Sequence, residues 1–464
     1  MKAILAGFNL DKTIIDKIDT KDIATPETIS AAYARISRSK KSVTELREEA
    51  KTRVKKARKS NEKIIFEMGH SSIAEHAVFN FDIIGISRFL VEYIEKSRLA
   101  SFTEKSQRYV TLSGDYVIPP ELENTELKDK FTEIIQKQNK FYQKLTQKAI
   151  DYLKKNEEFD NTKALDEKAK EDARYILPLA TETQLGLTIN ARSLVRMLRR
   201  LDTLELAEAK NLKKQFEEQI KDIAPSLIRY TKADEFEKNY LETLPYMKID
   251  NFIDKDFRLL EFTEFGEEKI LAAMMFQRTG LDYSEVLNLI KNMSPEQKER
   301  YFSEIFRDLK SYHSVPRAFE LAQLKFYLKI SSSCFAQLKR HRMSTILHSN
   351  YNPNNGYIIP PLIKEINQED EFDKIIEETN DLFYDLEDLK EGLGNYILTN
   401  SHILKVIFSA NLRELYHFSR LRSDKHAQWE IRKIAQKINE TVKEEYPAGA
   451  KFMMGKDKFE ETKK

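Results

Sequence analysis

Cysteine is almost missing from this chain: Cys334 is the one thiol in 464 residues. A single thiol excludes an internal disulfide and any zinc site built on a cysteine cluster, and it fits a reducing compartment. Cys334 lies within "ISSSCFAQL", where a small buried packing residue is expected rather than a nucleophile. An excess of one charge sign is missing too. Lys and Arg number 77 against 75 Asp and Glu, a net charge of +2, which argues against a general nucleic-acid binder. The basic run "EEAKTRVKKARKSNEK" (48–63) interleaves Lys and Arg with Glu, the pattern of a solvated helix face. No apolar stretch approaches the length of a membrane span. The opening "MKAILAGFNLDKTIID" has too short an apolar run and too early an Asp for a signal peptide. A cytoplasmic protein with neither nucleic acid nor membrane as partner is expected.

The familiar cofactor motifs are also lacking. No GxGxxG follows a strand, so a nucleotide would not bind in Rossmann fashion. "GAKFMMGKD" (449–457) has its glycines one residue too far apart for a phosphate loop, and Asp follows its Lys. In "GHSSIAEH" (69–76) the spacing of His70, Glu75 and His76 matches neither HExxH nor HxxEH. No metal site is expected there. A turn presenting one His and one small hydroxyl to a ligand is the better reading.

What is present is a repeat. "GDYVIPPEL" (114–122) returns as "NGYIIPPLI" (355–363), and Tyr116 and Tyr357 are 241 positions apart. "LTINARSLVRMLRRLDTLELAEAKNL" (187–212) echoes "IFSANLRELYHFSRLRSDKHAQWEI" (407–431), and Asn190 and Asn411 are 221 apart. The first copy therefore carries roughly twenty extra residues, which the charged stretch 154–173 fits as a loop or an exposed helix end. "HAVFNFDIIGIS" (76–87) alternates with period two and predicts a strand, with "FELAQLKFYLKIS" (319–331) in the matching place. Strand patterns mixed with long helices, without βαβ alternation, predict an α+β protein of two copies, 1–235 and 236–464.

The triplet Arg340, His341 and Arg342 is unremarkable on a helix surface, where bases near a C-terminus favour the macrodipole. Its company changes that: Gln337 before it, and a second polar cluster at Asn411, Arg413, Arg422 and His426. Guanidinium forks pair with phosphate oxygens, and amides read the edge of a base.

"ARIS", "GHSSIAEHAVFNF", "SFTEKSQRY", "RHR" and "NLRELYHFSRLRSDKHAQWEIR", taken in order, resemble the flavin-dependent thymidylate synthases. The resemblance covers nearly the whole chain, twice. It implies a tandem duplication of that family's fold, an antiparallel sheet packed with long helices. It also implies FAD as cofactor, NADPH and methylenetetrahydrofolate as co-substrates, and reductive methylation of dUMP to dTMP. Two chains forming a pseudo-tetramer would stand in for the family's homotetramer. No enzymic nucleophile is implied, which agrees with one unremarkable thiol.

Carried over residue by residue, the resemblance makes Arg422 and Ser106 the catalytic groups. Gln337, Arg340, Glu104, Ser106, Arg108, Arg174 and Arg422 would bind dUMP. Ser37, His70, Ser72, Glu75, Arg340, His341, Arg342, Asn411, Arg413, His417 and His426 would bind FAD, with His70 against the flavin. The two copies divide these groups. The second keeps QxxRHR and the Asn411 helix, but has Thr345, His348, Asn350 and Asn352 where the signature has Ser, Glu, Ser and Arg, and Asn395 for an arginine. The first keeps Ser101, Glu104, Ser106, Arg108 and Arg174, but its triplet has become Lys96, Ser97 and Arg98, with Tyr93 for Gln and Leu201 for the helix arginine. Random decay does not sort into complementary halves, so one composite site per pair of unlike repeats is expected. Thr103 in place of Asn, and His417 in place of Asn, leave open a paralogue acting on another uridine-type substrate. A flavin- or nucleotide-binding scaffold without turnover is the third reading.

Overall fold

The computed structural model describes residues 2–8, 26–35, 39–110, 112, 114–240 and 255–462. Ser37 lies outside them. In the first repeat the strands are β1 (Lys2–Phe8), β2 (Val78–Ser87), β3 (Ala100–Glu104) and β4 (Glu182–Asn190). Its main helices are α1 (Arg88–Glu95), α2 (Leu127–Asn156), α3 (Thr162–Ala173), α4 (Ala191–Asp202) and α5 (Ala207–Ile220). The second repeat gives β5 (Phe257–Phe262), β6 (Gln323–Ser331), β7 (Thr345–His348) and β8 (Ile403–Asn411). Its counterpart helices are α6 (Ser332–Leu338), α7 (Glu369–Leu389), α8 (Leu412–Arg422) and α9 (Trp429–Glu445).

Each repeat builds a four-stranded antiparallel sheet, in the order β1-β2-β4-β3 and β5-β6-β8-β7. The fold is α+β, as the strand patterns predict. Alternation sets the faces: Phe79, Phe81 and Ile83 of β2 are buried and Asn80, Asp82 and Ile84 are exposed. On β6, Leu324, Phe326, Leu328 and Ile330 take the buried side. β2 bulges against β4 between Ile84 and Ile86. Gly85 sits there at φ 74°, a left-handed conformation that glycine adopts without a Cβ clash.

The chain forms two compact units: Met1–Ile249 with Ile359–Asn400, and Asp250–Ile358 with Ser401–Lys464. Segment Ile359–Asn400 belongs to the second repeat by sequence and to the first unit by packing. There α2 and α7 run antiparallel. Gln138 Nε2 donates to Thr379 Oγ1 at 2.8 Å and to the Ile397 carbonyl at 3.1 Å. Lys137 pairs with Glu378 at 3.0 Å, and Phe141 meets Phe372 edge-on with ring centroids 6.4 Å apart. Gln138 and Thr379 are themselves repeat counterparts, 241 positions apart like Tyr116 and Tyr357. Nearby, Pro178 bridges Thr399, 221 positions on. Counterparts that touch each other mark a local pseudo-two-fold axis within this unit.

The extra residues of the first copy are structured. They form the end of α2 and all of α3, whose Leu165 and Ala169 are buried beside Ala149 and Leu153. Tyr116 bridges Thr181 and Tyr357 bridges His402, so the same bridge closes a loop about twenty residues longer in the first repeat.

Candidate active site

Two clusters carry the candidate residues, one in each unit. In the second unit, β6 passes into α6 at Ser331, whose Oγ accepts the Cys334 N–H at 3.0 Å and caps the helix. The Ser331 N–H and hydroxyl both donate to the Glu430 carboxylate. Cys334 is fully buried, a packing residue as expected. α6 stops at Leu338, so the basic triplet lies in the turn beyond it, with the His341 N–H on the Leu338 carbonyl at 3.0 Å. The turn separates the triplet's members. Arg340 and Arg342 are exposed, whereas His341 is 3% exposed.

His341 faces α8. Asn411 caps that helix, its Oδ1 accepting the Glu414 N–H at 2.9 Å. Glu414, Phe418 and Arg422 follow at intervals of four and so share one helix face. The imidazole spans that face. Its Nδ1 lies 3.0 Å from Glu414 Oε1, its ring meets Phe418 with centroids 4.9 Å apart, and its Nε2 lies 3.0 Å from Arg422 Nε. Arginine only donates, so Nε2 holds a lone pair and the proton sits on Nδ1, toward the carboxylate. Burial keeps the imidazole below its usual range, with the Arg422 charge adding to it and the Glu414 hydrogen bond opposing. Arg422 also donates from Nη2 to the Gln337 carbonyl at 3.1 Å. The result is a relay, Glu414 to His341 to Arg422, that fixes one guanidinium.

The other second-repeat candidates lie around it. Arg413 donates from Nε to the Val315 carbonyl and from Nη1 to Glu320, each at 3.0 Å. His417 is exposed, its ring edge-on to His341 with centroids 5.7 Å apart. His426 stands out in solvent, its Nδ1 2.8 Å from Asp424 Oδ1.

In the first unit, β3 delivers Glu104 and the turn after it. The Ser106 hydroxyl accepts the N–H groups of Arg108 at 3.2 Å and Tyr109 at 3.4 Å, which folds the turn on itself. Arg108 pairs with Glu171 of α3 at 3.2 Å and lies over the Tyr109 ring, 4.6 Å from its centroid. Arg174, just past the end of α3, donates to the Glu171 carbonyl at 3.2 Å. Burial lowers its pKa from the ordinary range, and the charges of Arg88 and Arg108 add to that. Glu104 receives Arg88 Nη1 on both oxygens, at 2.7 and 2.8 Å. Burial opposes the charge on Arg88, but Glu104, with Glu92 and Glu95, holds the guanidinium firmly protonated. Three guanidinium groups thus converge near two carboxylates, an arrangement able to take a further anion. Asn400 reaches in from the second repeat, donating to Gln107 Oε1 and to the Arg174 carbonyl at 2.9 Å each.

His70 and Ser72 are exposed where the chain turns into a short 3-10 helix, Ser71–His76. Glu75 Oε1 takes Arg192 Nη1 at 2.6 Å. That pair is the counterpart of Glu320 with Arg413, behind equivalent caps at Asn190 and Asn411. Among the described residues, no group of three or more His, Cys, Asp or Glu is placed to hold a metal ion.

The motifs do not mark Glu414, Glu320 and Glu171, which position the arginines, or Gln107, which holds Asn400. The one available signal is the Asn411-to-Glu414 spacing, which has the form of a capping box opening an amphipathic helix.

Two copies of one antiparallel sheet, each followed by an Asn-capped helix, define a duplicated α+β protein with a guanidinium cluster in each copy. The chain belongs to the thymidylate synthase complementing protein family, which matches it over residues 19–226 and again over 258–448. It is 24% identical over 436 residues to a UPF0159 protein of Thermoplasma acidophilum, spanning 83% of this chain and 86% of that one. Against the flavin-dependent thymidylate synthase of Clostridium tetani it is 34% identical over 219 residues, 44% of this chain and 82% of that protein. The Helicobacter pylori flavin-dependent thymidylate synthase, solved with FAD and dUMP, aligns with 50% of this chain and 100% of its own at 20% identity and a TM-score of 0.31. Among the described residues no helix is long and apolar enough to cross a membrane.

Proposed function

We propose that this chain is a tandem flavin-dependent thymidylate synthase. It converts dUMP to dTMP with methylenetetrahydrofolate and NADPH, at a composite site to which unlike repeats contribute different halves. The observation that carries the reading is the Glu414–His341–Arg422 relay in the repeat that keeps the intact basic triplet. A guanidinium held in one orientation suits stabilisation of negative charge on a uracil ring, because no reorganisation is needed as the charge develops. A binding-only relic has no need of a guanidinium so fixed.

In this reading Arg108 and Arg174 hold the dUMP phosphate, and Ser106, Glu104, Gln337 and Arg340 complete the nucleotide site. The fit to FAD rests on the exposed Arg340 and Arg342 flanking the buried His341, two surface guanidinium groups suited to a pyrophosphate. Asn411, Arg413, His417 and His426, with Ser37, His70, Ser72 and Glu75, make up the rest of that site. The bound flavin supplies hydride transfer, and the chain orients substrate and excludes water. Two chains would associate as a pseudo-tetramer. Thr103 and His417 favour one alternative, the same flavin site serving another uridine-type substrate.

The test is dTMP formation by the purified chain with dUMP, methylenetetrahydrofolate and NADPH. A colourless protein that takes up no added FAD sinks both readings. A flavoprotein that neither makes dTMP nor supports a thymidine-requiring strain leaves the alternative.

A further inference from the structure

The first repeat remakes the imidazole–guanidinium contact with different groups. Ser97 stands where the second repeat has His341, Ser193 where it has Glu414, and the buried Leu201 where it has Arg422. Arg200, one residue earlier on α4, takes up the contact: its Nη2 donates to Ser97 Oγ at 2.8 Å. The carboxylate that ends the second repeat's relay has no counterpart. The Arg200 Nε is buried without a hydrogen-bond partner.

Four other arginines have carboxylate partners. Arg88 has Glu104, Arg108 has Glu171, Arg199 has Asp234 and Glu237, and Arg413 has Glu320. Arg200 alone of this set has a hydroxyl and no carboxylate. Burial, with no opposing anion, pushes its pKa down to about 10. Arg200 is half-buried, yet its Nε is shut off from water, and a buried donor without a partner or a counter-charge calls for an explanation. Lys96 and Arg98 are exposed on either side of Ser97, as Arg340 and Arg342 are around His341. Arg196, also exposed, lies one turn before Arg200 on the same face of α4.

We propose that Arg200 and Ser97 form an anion-binding site of the first repeat, which takes a phosphate group of an external ligand in place of the lost carboxylate. This site is additional to the dUMP and FAD sites above and does not depend on that reading.

The test is thermal unfolding of the full chain in anion-poor buffer and with inorganic phosphate. Three proteins are compared: wild type, Arg200→Met, and the double variant Ser97→His with Ser193→Glu, which rebuilds an internal carboxylate relay. Wild type gains roughly 5 °C at a hundredfold excess of phosphate over its dissociation constant. Arg200→Met starts higher in anion-poor buffer, because an apolar side chain replaces an uncompensated cation, and loses most of the phosphate gain. The double variant loses the gain as well, and it answers the question should Arg200→Met fail to fold. Equal gains in all three proteins, or none in wild type, overturn the site. Repeating the titration with dUMP distinguishes the source: a larger Arg200-dependent shift than with phosphate identifies a nucleotide, an equal shift the free ion.

Discussion

Arg422 donates its Nε–H to Nε2 of His341 at 3.0 Å, and the same imidazole gives its Nδ1–H to Glu414. A cation thereby rests on a neutral, buried ring whose tautomer is set by a carboxylate on the far side. Protonation of Nε2 would place two donors face to face, so the contact exists only while the ring is neutral.

A pH dependence follows, with a definite sign. Burial holds the folded pKa of His341 below its unfolded value of about 6.5. The unfolded chain therefore binds this proton more readily. The stability contribution is fully present above the unfolded value and is lost as pH falls through the folded one. Melting temperatures from pH 8 to 5 should drop more steeply at the acid end for wild type than for His341→Gln. Parallel curves would remove the relay from the account.

Glu104 is tied to stability whatever it does in binding. Its partner Arg88 is buried, and Glu104→Gln leaves that charge with only the more distant Glu92 and Glu95. A loss of about 3 kcal/mol is expected in denaturant unfolding. Arg88→Met together with Glu104→Leu should recover most of it, because an apolar pair replaces the ion pair. No recovery would mean that Glu104 serves some other contact.

The composite-site reading sorts four substitutions into two pairs. Arg340→Ala and Ser106→Ala should each lower kcat/KM for dTMP formation by about 10²-fold or more. Arg98→Ala and Asn350→Ala, in the degenerate halves, should change it less than about threefold, within ordinary surface effects. Equal losses from all four would end the composite site.

Gln138 and Thr379 test the local two-fold axis. Gln138→Leu removes a buried donor shared by Thr379 Oγ1 and the Ile397 carbonyl. It should cost about 1–2 kcal/mol by urea unfolding. Adding Thr379→Val should cost less than the two single changes together, because the pair is coupled. Full additivity would show that the 2.8 Å contact contributes nothing.

Much of the fold was legible in the sequence. Strict alternation in "HAVFNFDIIGIS" marks β2 because one face of a sheet is buried and the other is wet. β4 and β8 were less visible. Their exposed positions include Gly186, Thr188 and Ile407, which blur the contrast between faces. The charged stretch 154–173 reads as a loop or an exposed helix end, yet α3 within it buries Leu165 and Ala169. Its buried apolar positions, Leu165, Ala169 and Ala173, recur every four residues but are mostly small and are set among charged side chains, which hides the period.

The sequence by itself determined the duplication, the α+β class and the unequal survival of site residues in the two copies. Those are properties of pattern and order, which the linear chain carries in full. The tertiary structure decided which arginine has which partner. Arg422 gained an imidazole backed by Glu414, Arg108 gained Glu171 from a helix 63 positions away, and Arg200 gained one hydroxyl. It also decided that Ile359–Asn400 packs with the first unit. Charge compensation and burial act between groups brought together in space, and no spacing along the chain encodes them.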